Sequence, residues 1–149
     1  MDTDIGNIVN SYIESDDDTK RLISEEYEAL DPEVKTQVAQ EASDKLAYSI
    51  KETNYHSAWV LIQSPFISLD HEKGEIFTLL VEQAIEKKEE KLLRCIFAGE
   101  ETGIDESYIC LVKQVVGKRE SYLIDKNVIM TCLLKALDCV YIPDLMIIL

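Results

Sequence analysis

The stretch Asp31-Pro32-Glu33-Val34-Lys35-Thr36-Gln37-Val38-Ala39-Gln40-Glu41-Ala42-Ser43-Asp44-Lys45-Leu46-Ala47-Tyr48-Ser49-Ile50-Lys51 decides the fold class. It opens with an acid in the capping position, a proline where the first helical residue would lack an N–H partner anyway, and another acid in the first turn. From there Val34, Val38, Ala42, Leu46 and Ile50 recur every four residues, which places them on one face of a helix running to about Lys51. The same period recurs on both sides. Ile5, Ile8, Val9, Tyr12 and Ile13 form an amphipathic stripe over about residues 3–14, with Asp2 or Thr3 as its cap. Asp18 or Thr19 opens a short second helix through Leu22, Ile23, Tyr27 and Leu30.

Downstream, Ala58-Trp59-Val60-Leu61-Ile62 reads as a short buried helix closed by Ser64-Pro65, because a residue before proline avoids the helical region. Phe66, Ile67 and Leu69 find no alternating partner run and are expected in a packed loop. Asp70 precedes a helix carrying Ile76, Leu79, Leu80 and Ala84, and a further helix carries Leu92, Leu93, Ile96 and Phe97 as far as Gly99. Asp105 starts another through Tyr108, Leu111, Val112, Val115 and Val116, stopped by Gly117, and helix is expected again from about Glu120 to Leu137. No run alternates over six residues, so the fold class is all-α.

The 149 residues suffice for one ordinary domain with a real core. Their 29 acids against 15 bases leave a net charge of -14, which disfavours nucleic acids and anionic membranes as partners. Residues 1–50 hold 13 acids and 4 bases, densest at Glu14-Ser15-Asp16-Asp17-Asp18, a run that suits a helix N-terminus or a basic partner. No apolar run reaches the roughly 20 residues that span a bilayer, and the start MDTDIGNIVN lacks the pattern of a Sec signal. Cys95, Cys110, Cys132 and Cys139 sit in apolar stretches without close pairing, and are expected as reduced, buried thiols in the cytoplasm or another reducing compartment.

Comparison of the chain with itself adds an offset. Ile76, Leu79, Leu80, Gln83 and Leu92 match Tyr108, Leu111, Val112, Val115 and Ile124 at 32 residues, Leu46-Ala47 and Trp59-Val60 match Leu79-Leu80 and Leu92-Leu93 at 33, and Leu69-Asp70 matches Ile104-Asp105 at 35. The unit is a helix pair plus a loop. Glu90-Lys91-Leu92-Leu93-Arg94-Cys95-Ile96-Phe97-Ala98-Gly99 with Thr102-Gly103-Ile104-Asp105 resembles the second helix and outgoing loop of an ankyrin repeat. His56 to Gln63 with Ser68-Leu69-Asp70 is similar, so the resemblance covers about residues 45–137. Ile76-Phe77-Thr78-Leu79 stands where that family carries Thr-Pro-Leu-His, and other helical-hairpin stacks such as HEAT repeats share the same stripes. The expected architecture is one helical domain of stacked antiparallel helix pairs, with residues 1–52 as an N-terminal helical cap and 53–149 as the repeat region.

Chemistry has few carriers. His56 and His71 lack spaced ligands, and His56 reads as packed or capping beside Trp59. Asp70-His71-Glu72-Lys73-Gly74-Glu75-Ile76 fails the register of a calcium loop, and Gly6, Gly74, Gly99, Gly103 and Gly117 form no phosphate cradle. Trp59, Tyr48, Tyr55 and Phe66 form either core or a ligand cup. No catalytic residue, metal site or cofactor is expected. The reading is an acidic protein–protein interaction module, or adaptor, for a partner with a basic or mixed surface. Its candidate binding residues are Asp70, Glu72, Glu100 and Glu101, taken as loop tips aligned along one edge of the stack. The rivals are an N-terminal or regulatory piece of a larger enzyme, using acids such as these and Asp105, and a compact Bcl-2-like or death-fold-like bundle that holds a partner helix in a groove. Leu145-Met146-Ile147-Ile148-Leu149 suggests an array continuing past residue 149, and left uncovered it would invite self-association.

Overall fold

The helix that decided the fold class spans Pro32–Lys51 (α3) in a computed structural model of the protein, which describes residues 5–118, 121–122 and 124–140. Val38, Ala42, Leu46 and Ile50 are buried, as their spacing requires, and Val34 is half-buried. Asp31 takes the extended capping backbone, yet its side chain makes no capping hydrogen bond. The start therefore rests on Pro32, which fixes φ and removes one unpartnered N–H, and on the Asp31 carbonyl, which accepts from the Lys35 N–H at 2.9 Å.

Contacts divide the chain into two compact units, 1–68 and 69–149. In the first, α1 (Ile5–Glu14) packs on α2 (Asp17–Glu28), on α3 and on α4 (Tyr55–Ile62), and α3 packs on α4. The acidic run starts α2: the Asp16 carboxylate accepts from the Thr19 N–H at 2.8 Å, which holds its pKa below the usual carboxylate range, and Asp17 and Asp18 occupy the first turn. Phe66 and Ile67 are buried in a non-helical segment, as expected. Phe66 receives Tyr12 and Tyr27 edge-on, at 5.1 and 4.9 Å between ring centroids. The expected boundary at 52/53 falls inside this unit, between two helices that pack on each other.

The second unit is organised around α5 (Leu69–Glu86), which packs against α6 (Glu90–Ala98), α7 (Glu106–Val116) and α8 (Lys126–Cys139). Phe77 of α5 meets Phe97 of α6 edge-on at 5.9 Å, among fully buried Leu80, Leu93, Leu111 and Leu133. Gly99 caps α6 with φ of 72° and Gly117 caps α7 with φ of 83°, left-handed conformations that a Cβ would strain. Asp105 caps α7, its carboxylate accepting from the Ser107 and Tyr108 N–H groups.

Two expectations need correction here. Leu79 is half-buried, and Phe77 takes the core position expected of it. Helix was expected from Glu120, but Gly117–Lys118 (β1) pairs antiparallel with Ser121–Tyr122 (β2), and α8 begins only after Asp125, whose carboxylate caps it. Ile124, matched to Leu92 by the 32-residue offset, is buried but precedes α8. Glu120 itself, the caps Asp2 and Thr3, and the tail Leu145–Leu149 lie outside the described residues. Among the described residues there are eight helices, and the only strands are the two-residue β1 and β2, so the fold is all-α.

Candidate functional site

The four acids expected at loop tips occupy two different settings. Asp70 is exposed and Glu72 half-buried, both in the first turn of α5, so neither is a loop residue. Leu69 already joins the helix, and acids in a first turn complement its positive end. Asp70 lies 3.9 Å from Lys73 one turn on. Glu100 and Glu101 do lie in the connection between α6 and α7, but each has a basic neighbour within the chain. Arg94 places Nη2 and Nε on one oxygen of Glu90 at 2.6 and 2.9 Å, with Nη1 3.9 Å from Glu100. Glu101 holds the Lys113 ammonium at 2.8 Å, and this hydrogen bond pushes the Lys113 pKa upward. These carboxylates tie the α6–α7 connection to both of its helices.

A groove elsewhere in the second unit collects residues the sequence reading passed over. One face of α5, with His71, Glu75, Thr78 and Glu82 at spacings of four, three and four, lines it together with Gly74, Leu79 and Val128 of α8. Its volume is about 600 Å³. Leu79 and Val128 supply an apolar floor, and Glu75 and His71 stand exposed at the rim. Glu82 lies 3.5 Å from Lys135 of α8. Gly74 matters because a Cβ there would meet nothing within 4 Å, so the groove is open at that turn. Thr78 donates to the Gly74 carbonyl at 2.9 Å and sits 3.8 Å from the Cys132 sulfur. The stripe 71, 75, 78, 82 has helical spacing in the sequence, but polar residues at that spacing carry no signal that separates a groove from a solvated face.

The first unit carries a cleft of about 650 Å³ between the end of α1, the start of α2 and one face of α4. Trp59 and Tyr12 supply its aromatic surface, and Lys20, Arg21 and His56 line it with Glu14 and Asp17. His56 is exposed and does not cap α4; Asn54 does, its side chain accepting from the Ser57 N–H at 3.2 Å. No cup of Trp59, Tyr48, Tyr55 and Phe66 forms, because Phe66 is buried against Tyr12 and Tyr27 while Tyr48 is 58% exposed.

Of the thiols, Cys95 and Cys132 are buried, Cys110 is half-buried and Cys139 is exposed, against the expectation of four buried cysteines. Burial, aided by the nearby Glu101 carboxylate, pushes the Cys95 pKa up to about 11, and burial likewise raises that of Cys132. A thiol so shifted is a poor nucleophile at neutral pH. Among the described residues no group of three His, Cys, Asp or Glu side chains is placed to hold a metal ion, and no helix is long and apolar enough to cross a membrane. Compared with known proteins, the chain matches no family model, no curated protein and no solved structure.

Proposed function

We propose that the protein is a helical-repeat interaction module whose work is binding another protein, and that the α5–α8 groove receives the partner. The observation that carries this reading is the groove itself: an apolar floor of Leu79 and Val128 beside an exposed carboxylate at Glu75. Such a surface suits a partner segment with an apolar anchor next to a basic residue, since the anchor gains from leaving water and the rim charge guides approach. The repeat reading is supported by the order of helices in which the matched residues lie, with burial shared by the pairs Val60 and Leu93, and Ile76 and Tyr108. Leu46-Ala47 of α3 correspond to Leu79-Leu80 of α5, Trp59-Val60 of α4 to Leu92-Leu93 of α6, and Ile76 of α5 to Tyr108 of α7. Helix pairs of this kind bury one stripe each against a neighbour, and α5 does pack on both α6 and α7.

The acidic positions Glu100 and Glu101 fit a supporting part in this reading. Their pairing with Arg94 and Lys113 shapes the α6–α7 connection, which leaves the partner's basic residue to Glu75. A photo-crosslinking residue placed at Leu79 should capture one dominant partner, and the same residue at Tyr48 should not. The purified partner should then bind the parent protein directly and lose at least about tenfold in affinity on Leu79→Glu, the loss expected when a charge is set into an apolar anchor site. Equal capture at both positions, or unchanged affinity of the Leu79→Glu variant, would reject the groove as the interface.

A further inference from the structure

The cleft of the first unit holds basic side chains in a part of the chain where acids prevail. Residues 1–50 carry 13 acids against 4 bases, yet Lys20 and Arg21 line the same cavity as Glu14 and Asp17, so the formal charge around it cancels. Of the two acids, Asp17 sits in the first turn of α2, where a negative charge complements the helix end, and Glu14 is exposed as the last residue of α1. Lys20 is anchored, its ammonium donating to the Ser15 carbonyl and standing 5.6 Å from the centre of the Tyr12 ring. Arg21 differs. It is exposed and makes no ion pair among the described residues, whereas Arg94 is forked onto Glu90. The Arg21 guanidinium donors therefore have no charged partner among the described residues and are open to a ligand.

We propose that this cleft binds a small amphiphilic carboxylate, its ring or apolar body on Trp59 and its carboxylate on Arg21, with His56 as a further polar contact. The guanidinium presents paired N–H groups in the plane a carboxylate needs, and a neighbouring half-buried indole offers an apolar face to the rest of the ligand. The volume, about 650 Å³, lies in the range of small-molecule sites and is ample for one ring and a short chain. The carboxylate belongs either to a free aromatic acid or to the C-terminal residue of a peptide. The proposal does not depend on the groove of the second unit, because every lining residue lies between Tyr12 and Gln63.

Trp59 is the only tryptophan in the chain, so its fluorescence reports on this cleft alone. The full chain would be titrated with phenylpropanoate, its amide and phenylpropylamine, and in parallel with an acetylated dipeptide ending in a free phenylalanine carboxylate and with the amide of that dipeptide. The expected result is a saturable change in Trp59 emission with at least one carboxylate, binding about tenfold or more tighter than its amide and than the amine, the margin of one charge-assisted hydrogen-bonded pair. Arg21→Gln should remove that preference, and Lys45→Gln, whose side chain lies against Tyr48 and outside the cleft, should keep it. Because Arg21 is exposed, unchanged far-UV circular dichroism of Arg21→Gln separates loss of binding from loss of fold. Saturation by the free acid or only by the dipeptide distinguishes the two sources, and either supports the site. Tighter binding of the amine would assign the cleft to Glu14 and Asp17, and equal binding of acid and amide, no change with either carboxylate, or a preference that survives Arg21→Gln would each overturn the proposal.

Discussion

The two units close their cores by different means. In the first, the closing residue lies in a loop: Phe66, just past Ser64-Pro65, takes the rings of Tyr12 from α1 and Tyr27 from α2 edge-on. In the second it lies in the middle of a helix: Phe77 of α5 meets Phe97, and α5 itself packs on three other helices. Their concave surfaces differ in the same sense. The cleft of the first unit sets two acids and two bases beside Trp59, while the groove of the second has an apolar floor beside carboxylates. The recess of the first unit lies where α1 ends and α2 begins, whereas the central helix of the second leaves one stripe of its own face as a groove.

The largest test of this comparison is to remove both rings. Phe77→Ala and Phe66→Ala should each cost roughly 3–5 kcal/mol, as buried phenylalanine truncations do, read from urea midpoints. Leu93→Ala, at a fully buried position on α6, should cost roughly 2–5 kcal/mol. Hydrogen exchange sharpens the result. Phe66→Ala should loosen amides within residues 5–68 and Phe77→Ala those within 69–140. Equal loosening across both ranges from either variant would mean that the chain unfolds as one body.

What the sequence disclosed follows from where the information is local. Asp31-Pro32, Gly99, Asp105 and Gly117 each act on the backbone beside them, so those ends of α3, α6 and α7 could be read directly. On α5 the apolar residues Ile76, Phe77, Leu79, Leu80 and Val81 are nearly continuous, and periodicity alone does not choose between Phe77 and Leu79 for the core; packing chose Phe77. The delayed start of α8 is not marked in the sequence because the β1–β2 pairing joins Gly117 to Tyr122 and Lys118 to Ser121, partners that no side-chain period marks. The unit 1 cleft gathers residues as far apart as Tyr12 and Gln63, and of the four acids read as binding residues, Asp70 and Glu72 lie in the first turn of α5 while Glu100 and Glu101 have Arg94 and Lys113 as neighbours.

A middle-sized effect is expected at high pH, and it begins in the core of the second unit. Burial raises the Cys95 pKa to about 11 from an ordinary 9.0, so the folded state keeps a proton that the unfolded chain releases first. The unfolded state therefore binds fewer protons between the two values, and stability falls as pH rises from about 9 to about 11, by at most roughly 2–3 kcal/mol. Burial also raises the pKa of Tyr12 and of Tyr27 in the first unit, which adds a loss of the same sign at higher pH. Urea midpoints at pH 8 and pH 10.5 should show the drop, and Cys95→Ala should shrink the part that begins near pH 9, leaving the share of Cys132. An unchanged drop in that variant would assign it to Cys132 and the tyrosines instead.

The smallest effects compare how one position in each unit bounds a helix, a start at Asn54 and a stop at Gly99. Asn54→Ala in the first unit deletes the side-chain acceptor for the Ser57 N–H and should cost about 1 kcal/mol, as lost N-caps do. Gly99→Ala in the second has a different origin. A Cβ at Gly99 would meet nothing within 4 Å, so the whole penalty comes from holding alanine at φ of 72°, about 1–2 kcal/mol, partly offset by the stiffer unfolded chain. Gly103, at φ of 75°, offers an internal control, because there an added Cβ would come 3.3 Å from the Lys91 ammonium nitrogen. That atom is the far end of a flexible side chain and can swing away. Gly103→Ala should then cost no more than Gly99→Ala in paired thermal melts. A clearly larger cost at Gly103 would show that Lys91 is fixed in place and that the α6–α7 connection is more tightly built than its ion pairs alone imply.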